Sequence, residues 1–596
     1  MRKLLLFVLL LTALAGAQQP VPALPLVYID TTWNPPTGGT TWHAHTSADF
    51  TNALSSSLPG DIIILDAGSV YKGNFALPAK ANPSKKWIYI ESSALSKLPV
   101  PGTRTDPKYL SSMPTIVTPN VSAAIALAPG SDHWRLVGLE VTSASTQGCN
   151  PANKPPINCF SYYTIGWQSV LTQTLPDSIT IDRCYIHGSP TQDIRQGVQA
   201  NGTNFAVIDS YISDIHQSIS DSQAILAYLT PGPLKIVDNY LSATTEDVML
   251  GGAGDYNNPY VPSDVEIRAN HLFKPLTWNV PGITLPPYNQ WIEKDNLEFK
   301  SARRVLVTGN ILENTWVSGQ LGYSVVLTVQ TSQSGNLAVV DDITVESNIL
   351  KNVASGFNTQ EVDPYCSPAS GYPNCTNPGE EKRWKIHNNL LIFANPAGNG
   401  GGRNWGLALS PNQTDLVFQH NTLVAYAGTS CGASIYFETN QSWQWPPPQS
   451  YTHNVWILDN ALCAQPTGDW GQLGTSALNY YMGDPAPLAP RFYGNAMYVP
   501  SGQGVATWPL HNYASTVPFT FAVPSIGDYQ LLTPYWTDTT DGLLAGINWS
   551  SLQAATGYIS NPVVGPPPKG QLLRATSGPI SPSVASLPPK GPTARP

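Results

Sequence analysis

One pattern, apolar-x-apolar-x-x-Asn-x-apolar, recurs through the chain and constrains its fold more than any other feature. It reads Leu234 to Leu241 with Asn239, Val265 to Leu272 with Asn270, Val305 to Leu312 with Asn310, and Ile343 to Leu350 with Asn348. It continues around Asn389, Asn421 and Asn460, while earlier copies carry Leu139, Cys184 and Ser210 at the Asn position. Successive copies lie 26 to 45 residues apart. Alternating apolar residues signify short strands with one buried face. An Asn at a constant offset signifies a sharp bend whose amide bonds to its equivalents in the coils above and below. Variable spacing then means that extra residues loop outward. The expectation is an all-β chain, a right-handed parallel β-helix. A β-propeller needs four antiparallel strands per blade joined by tight hairpins, and no such spacing is present.

Composition fits one long solenoid. Of 596 residues, 12% are charged and the formal net charge is −9, which argues against a nucleic-acid partner. Beyond the N-terminus no apolar run reaches the ~18 residues of a membrane span. Arg2-Lys3, the apolar stretch Leu4 to Ala13, and Ala15-Gly16-Ala17 before Gln18 read as a secretory signal peptide cleaved after Ala17. The organisation expected is a signal peptide over 1–17, an N-terminal segment and cap over 18–60, the β-helix with loop insertions over 61–560, and a disordered Pro-, Ser- and Gly-rich tail over 561–596. Within the cap, Ser47 to Leu54 reads as a short amphipathic helix. A secreted monomer is expected.

Seven cysteines suit an oxidising compartment. Cys149 with Cys159, Cys366 with Cys375, and Cys431 with Cys463 are disulfide candidates, leaving Cys184 as a buried thiol. No Cys or His spacing suggests zinc, and His43-Ala-His45 lies beside a cap where a structural role is commoner. No phosphate loop or dinucleotide fingerprint occurs, so no organic cofactor is expected. Trp443 and Trp445 would suit sugar stacking or packing of their loop. Sequons at Asn120, Asn201, Asn374, Asn412, Asn440 and Asn548 would matter only in a host with glycosylation machinery.

A second strand precedes each Asn-bearing one, and alternation places Asp247, Glu298, Lys300, Gln330, Asn358, Gln360 and Tyr436 outward along a polar strip. The densest point is Trp291 to Arg304, where Lys294, Glu298 and Lys300 share a parity. Pro59-Gly-Asp-Ile-Ile-Ile-Leu65 resembles the first coil of pectate-lyase-like β-helices. The string Glu298-Phe-Lys300-Ser301, ahead of a strand ending in Asn310, resembles a motif of β-helical alginate lyases and chondroitinase B. That resemblance implies a lyase acting on an acidic, uronic-acid polysaccharide by β-elimination. It implies Lys300 as the base, Asp247 and Glu298 as Ca²⁺ ligands, and an arginine, Arg303 or Arg304, against the substrate carboxylate. Lys294, Gln330, Asn358, Gln360 and Tyr436 would line the substrate. The chain departs from the motif one coil after Lys300, where Gln330 stands in place of Arg.

Two other readings compete. A non-catalytic carbohydrate-binding or envelope protein would use the same strip only to hold glycan. A glycoside hydrolase would need two or three carboxylates, for which Glu246, Asp247, Asp255, Glu361 and Asp363 are available, but the polygalacturonase-like Asn-Thr-Asp, Asp-Asp and Gly-His-Gly signatures are missing.

Overall fold

The computed structural model describes residues 18–557, except 146–160, 167–172, 191, 218–219, 253–257, 280–290, 330–337, 361–379, 396–401, 411–412, 427–430, 439–451, 469–470, 472, 484–487, 489 and 533–537. The signal-peptide stretch, the tail from 561, Gln330, Asp255, Glu361, Asp363, Trp443, Trp445, and the Cys149–Cys159 and Cys366–Cys375 candidates lie outside the described residues.

Three parallel sheets wind about one axis. The first has 14 strands from Thr41–Ala44 to Phe492–Tyr493, the second 14 from Val70–Lys72 to Tyr513–Ser515, and the third 12 from Phe75–Leu77 to Thr467–Gly468. The chain visits them in rotation, as in Glu246–Leu250 (third), Ser263–Arg268 (first), His271–Phe273 (second) and Asp295–Phe299 (third). This is the right-handed parallel β-helix. Its core is built of like residues stacked in register. On the third sheet Val198, Ile225, Val248, Leu297, Val325, Phe357, Leu407 and Ile435 form one such row, all fully buried. Each contributes ~1.5–3 kcal/mol of apolar burial, so the solenoid is stabilised along its whole length.

The Asn positions form the expected ladder at the bend between the first and second sheets. From Asn239 through Asn270, Asn310, Asn348, Asn389, Asn421 and Asn460, each backbone N–H and each Nδ2 donates to Oδ1 of the next, at 2.9–3.2 Å. The ladder runs on through Asn495 and Asn512. At its other end Ser210 N–H donates to Asn239 Oδ1 and Cys184 N–H to Ser210 Oγ. The residue before each rung turns the corner at positive φ, for example Asp238 at +54°, Ala269 at +56°, Gly309 at +67° and Asp459 at +56°. Left-handed backbone costs a non-glycine residue ~1–2 kcal/mol, which the buried amide bonds offset at each bend.

Both ends are covered, which removes open sheet edges from solvent. Helix α1 (Ser47–Ser56) starts on a capping box of Thr46 with Asp49 and buries Phe50, Ala53 and Leu54. The Phe50 ring lies 4.6 Å from that of Phe75. Helix α2 (Gly474–Met482) closes the far end, with Tyr481 stacked on Phe437 at 4.9 Å. Helix α3 (Trp549–Thr556), capped by Asn548, packs Trp549 and Leu552 against Ile349 and Leu390. Cys431 and Cys463 are disulfide-bonded, and Cys184 is a buried free thiol. Among the described residues no helix is long and apolar enough to cross a membrane.

One feature has no periodic signal in the sequence. Residues 18–34 run as an extended strap along the outside of the first sheet. Asn454 Nδ2 donates to Gln18 O, Ala23 N–H to Asp342, and Leu26 N–H to Asp264, while Lys235 Nζ donates to Ile29 O. Near its end Trp33 lies beneath the guanidinium groups of Arg135 and Arg183.

Candidate active site on the third sheet

Gln196, Gln223, Glu246 and Asp295 occupy equivalent positions on four successive coils of the third sheet. Gln196 Nε2 donates to Gln223 Oε1 at 2.9 Å, and Gln223 Nε2 donates to Glu246 Oε2 at 2.7 Å. Three residues beyond Asp295, Glu298 joins the group. One carboxylate oxygen from each of Glu246, Asp295 and Glu298 lies within 4.8 Å of the other two, and all three residues are buried.

The strand achieves this by breaking strict alternation at Asn296. Asn296 and Leu297 both turn inward, Leu297 into the core and Asn296 into a polar row. There Asn296 Nδ2 donates to Asp247 Oδ2 at 2.9 Å and Asn296 Oδ1 accepts from Ser324 Oγ at 2.9 Å. Asp295 and Glu298 are thereby left together on one face. The same geometry one coil earlier takes Asp247 out of the cluster. Its Oδ1 accepts from Ala243 N–H at 2.7 Å, so the inward Asp247 is a structural acceptor, and Glu246 and Asp295 stand where Asp247 was expected.

Two lysines complete the group. Lys300 Nζ lies 3.4 Å from Glu298 Oε2, and Lys294 Nζ lies 2.6 Å from Asp221 Oδ2 and 3.5 Å from Glu246 Oε1. Gly251 and Gly252 make room for this, at φ +76° and +69°. A Cβ on Gly252 would meet Lys300 Cδ at 2.2 Å, and one on Gly251 would meet Ser301 N at 2.5 Å.

The electrostatics are those of too many carboxylates out of water. Burial, with the like charges of Asp221 and Glu298, pushes the Glu246 carboxyl up to about 8 against the pull of Lys294. Burial and then Glu298 and Glu246 raise Asp295 well above the usual range. Burial opposes the charge on both lysines, but Glu246 and Asp221 hold Lys294 as ammonium, and Glu298 and Glu246 do so for Lys300. Among the described residues no hydrogen bond reaches either oxygen of Asp295, and none reaches Glu246 Oε1 or Glu298 Oε2, which meet Lys294 and Lys300 only as ion pairs at 3.5 and 3.4 Å. Buried acceptors without donors are rare, and several hard oxygens converging on one point suit an oxygen-seeking cation such as Ca²⁺. The donor set of Glu246, Asp295 and Glu298 therefore fits such an ion.

The other expected residues fall elsewhere. Arg303 and Arg304 belong to Ala302–Thr308 of the first sheet. Arg304 makes two bonds to the Asp264 carboxylate at 2.7 and 2.9 Å, and Arg303 approaches Asp341 at 3.9 Å. Asn358 and Tyr436 share the register row of Glu298, further toward the C-terminus. Gln360 ends the strand Ser355–Gln360. His45 pairs with Asp66 at 2.7 Å, and neither it nor His43 joins a metal-like cluster among the described residues. Asn201 is buried and accepts from the N–H groups of Tyr228 and Leu229.

No protein-family model and no curated protein matches the sequence. Solved structures do resemble it. An alginate lyase from Paenibacillus matches at 10% identity over 80% of this chain and 99% of its own, with a TM-score of 0.29. The alginate lyase AlyGC matches at 10% identity over 88% of this chain and 60% of its own, with a TM-score of 0.37. The pectate lyase Pel9A matches at 12% identity over 69% and 82%, with a TM-score of 0.34. The strand order by itself establishes the fold: the chain is a parallel β-helix.

Proposed function

We propose that the protein is an exported polysaccharide-active enzyme, a lyase that cleaves an acidic glycan by β-elimination on the third sheet. The observation that carries this is the convergence of three buried carboxylates with Lys294 and Lys300 at one point of an otherwise regular solenoid. Perturbed titratable groups gathered in this way are characteristic of reactive sites.

Elimination removes the proton on C5 of a uronate, forms a C4=C5 double bond and expels the glycosidic oxygen from C4. Lys300 is the base in this reading. Burial alone favours its neutral amine, and the neighbouring carboxylates reverse that preference. Base chemistry at Nζ therefore needs those carboxylates otherwise engaged. Ca²⁺ held by Glu246, Asp295 and Glu298 would supply positive charge that offsets theirs and acidifies the C5 proton. Lys294, held charged by Glu246 and Asp221, takes the place the family motif gives to arginine, against the uronate carboxylate.

A hydrolase is the second reading, favoured by one observation: three buried carboxyl groups lie together, and burial raises that of Glu246 in the direction a general acid needs. A panel of uronic-acid polymers separates the two. Absorbance at about 235 nm reports the unsaturated product of proton abstraction, whereas reducing ends without absorbance report hydrolysis. If neither appears with any polymer, the enzyme reading fails and the strip is a binding surface.

A further inference from the structure

Four coils from the carboxylate cluster, the third sheet carries a second organised group. The Trp405 and Tyr436 rings stack at 3.7 Å and 13°, and the exposed Arg403 places its guanidinium 4.4 Å from the Trp405 ring centre. Tyr323, Val326, Ala408 and Ala433 pack with them. Glu438 and Arg403 both act on the Tyr323 hydroxyl, so these two charges face the same stack. None of this supports the core, which lies on the other face of the sheet in the row of Val325, Leu407 and Ile435.

Register ties the two groups together. Glu298, Val326, Asn358, Ala408 and Tyr436 succeed one another on adjacent strands. At ~4.8 Å per coil, Tyr436 is about 19 Å from Glu298. One coil is close to the length of one pyranose unit, so a glycan laid along the axis advances about one sugar per strand. Trp405 is buried between Tyr436 and the Arg403 guanidinium and backs them. The half-buried Tyr436 ring offers the apolar face of a sugar a flat partner, and the exposed arginine offers its carboxylate a two-point donor.

Resting on the lyase reading above, we infer that Arg403, Trp405 and Tyr436 form a distal subsite for an acidic sugar about four units from the point of cleavage. The subsite sets the chain length the protein prefers and the direction in which the glycan lies. Asn358, half-buried midway along the row, is placed to hydrogen-bond the intervening sugars.

The test is calorimetric binding of galacturonate and mannuronate oligomers of two and six units, with cellohexaose as the neutral control. The mature chain carrying Lys300→Ala serves as carrier, so that ligand is not consumed. An acidic hexamer should bind at least tenfold more tightly than its dimer. Tyr436→Ala should collapse that ratio towards one, and Tyr436→Phe should restore it. Arg403→Gln, at an exposed position, should weaken the acidic hexamer and leave cellohexaose unaffected. A hexamer preference that survives both Tyr436→Ala and Arg403→Gln overturns the subsite while leaving the lyase reading intact. If polymers yield product in the wild type yet dimer and hexamer bind equally, the subsite again falls alone. If no oligomer binds and no polymer yields product, both fall.

Discussion

Lys300 Nζ lies 3.4 Å from Glu298 Oε2, with Lys300 9% and Glu298 2% exposed. A solvated surface pair contributes ~0–1 kcal/mol and tolerates loss of either partner. A buried pair does not, because the remaining charge is left without compensation. Glu298→Gln should therefore lower the thermal midpoint measurably and free Lys300 to lose its proton at lower pH. Lys300→Met, which leaves the Glu298 carboxylate uncompensated beside Glu246 and Asp295, should be more harmful to stability than Glu298→Gln, which also relieves their repulsion. Equal, negligible shifts would show the pair to be solvated.

The unpartnered oxygens of Asp295 predict a stabilising cation. Calcium at a hundredfold excess over its dissociation constant should add ~2.7 kcal/mol, read as a rise in thermal midpoint that chelator reverses. Asp295→Asn should abolish the rise. Asp247→Asn should leave the calcium response in place, because Asp247 faces the core side and bonds to Ala243 and Asn296.

The amide ladder predicts that its middle rungs are worth more than ordinary polar residues. Asn348 Nδ2 donates to Val307 O, Glu346 O and Asn389 Oδ1, and its Oδ1 accepts twice from Asn310. Asn348→Ala strands donors on one coil and acceptors on its neighbours. At ~1–3 kcal/mol for each buried group left without a partner, the midpoint should fall by several degrees. Asn348→Asp, which keeps the acceptors, should fall between the two.

The bends make a prediction of opposite sign. Ala269 turns its corner at φ +56°. Ala269→Gly relieves left-handed strain at some cost in unfolded-chain entropy and should stabilise by ~0.5–1 kcal/mol. Gly309→Ala should destabilise, since a Cβ there would also meet Ala555 O at 2.4 Å.

Buried histidines give a pH dependence. Burial pushes His216, stacked on Trp291 at 3.8 Å, down to about 4. Burial, then Lys385 and His420, pushes His387 down to about 3. An unfolded histidine titrates near ~6.5, so below that pH the unfolded chain takes up protons that the folded chain refuses. Stability from these groups is complete above about pH 6.5 and is lost as pH falls, by ~3 kcal/mol for His216 alone. His216→Phe, which keeps the stack, should flatten the fall in midpoint between about pH 7 and 5.

The fold was legible because Asn239 to Asn460 recur at a constant offset from alternating apolar residues. Asn495 lies at ordinary spacing, 35 residues after Asn460, but Pro490 stands at the first apolar position of its copy. Asn512 follows only 17 residues later, too soon for a full coil. The site was half legible. Lys294, Glu298 and Lys300 follow from parity, but parity assumes a straight strand, and Asn296 bends this one by joining the inward row with Asp247 and Ser324. Asp295 was hidden for that reason, and Asp247 was placed on the wrong face for the same one. Arg303 and Arg304 do not supply the arginine that the motif implies beside Lys300, because the chain carries them around the corner to Asp341 and Asp264. The strap over 18–34 is held by backbone groups and single charged side chains, which leave no period to read.

Lys300 as the base of a lyase is tested by the absorbance at about 235 nm produced by mature wild-type protein and by Lys300→Ala, each on a responsive uronic-acid polymer, with calcium or with chelator. The wild type with calcium should give product, Lys300→Ala should fall by ~10²-fold or more as expected for loss of a general base, and chelator should cause a comparable fall. Undiminished product from Lys300→Ala would contradict that role for Lys300.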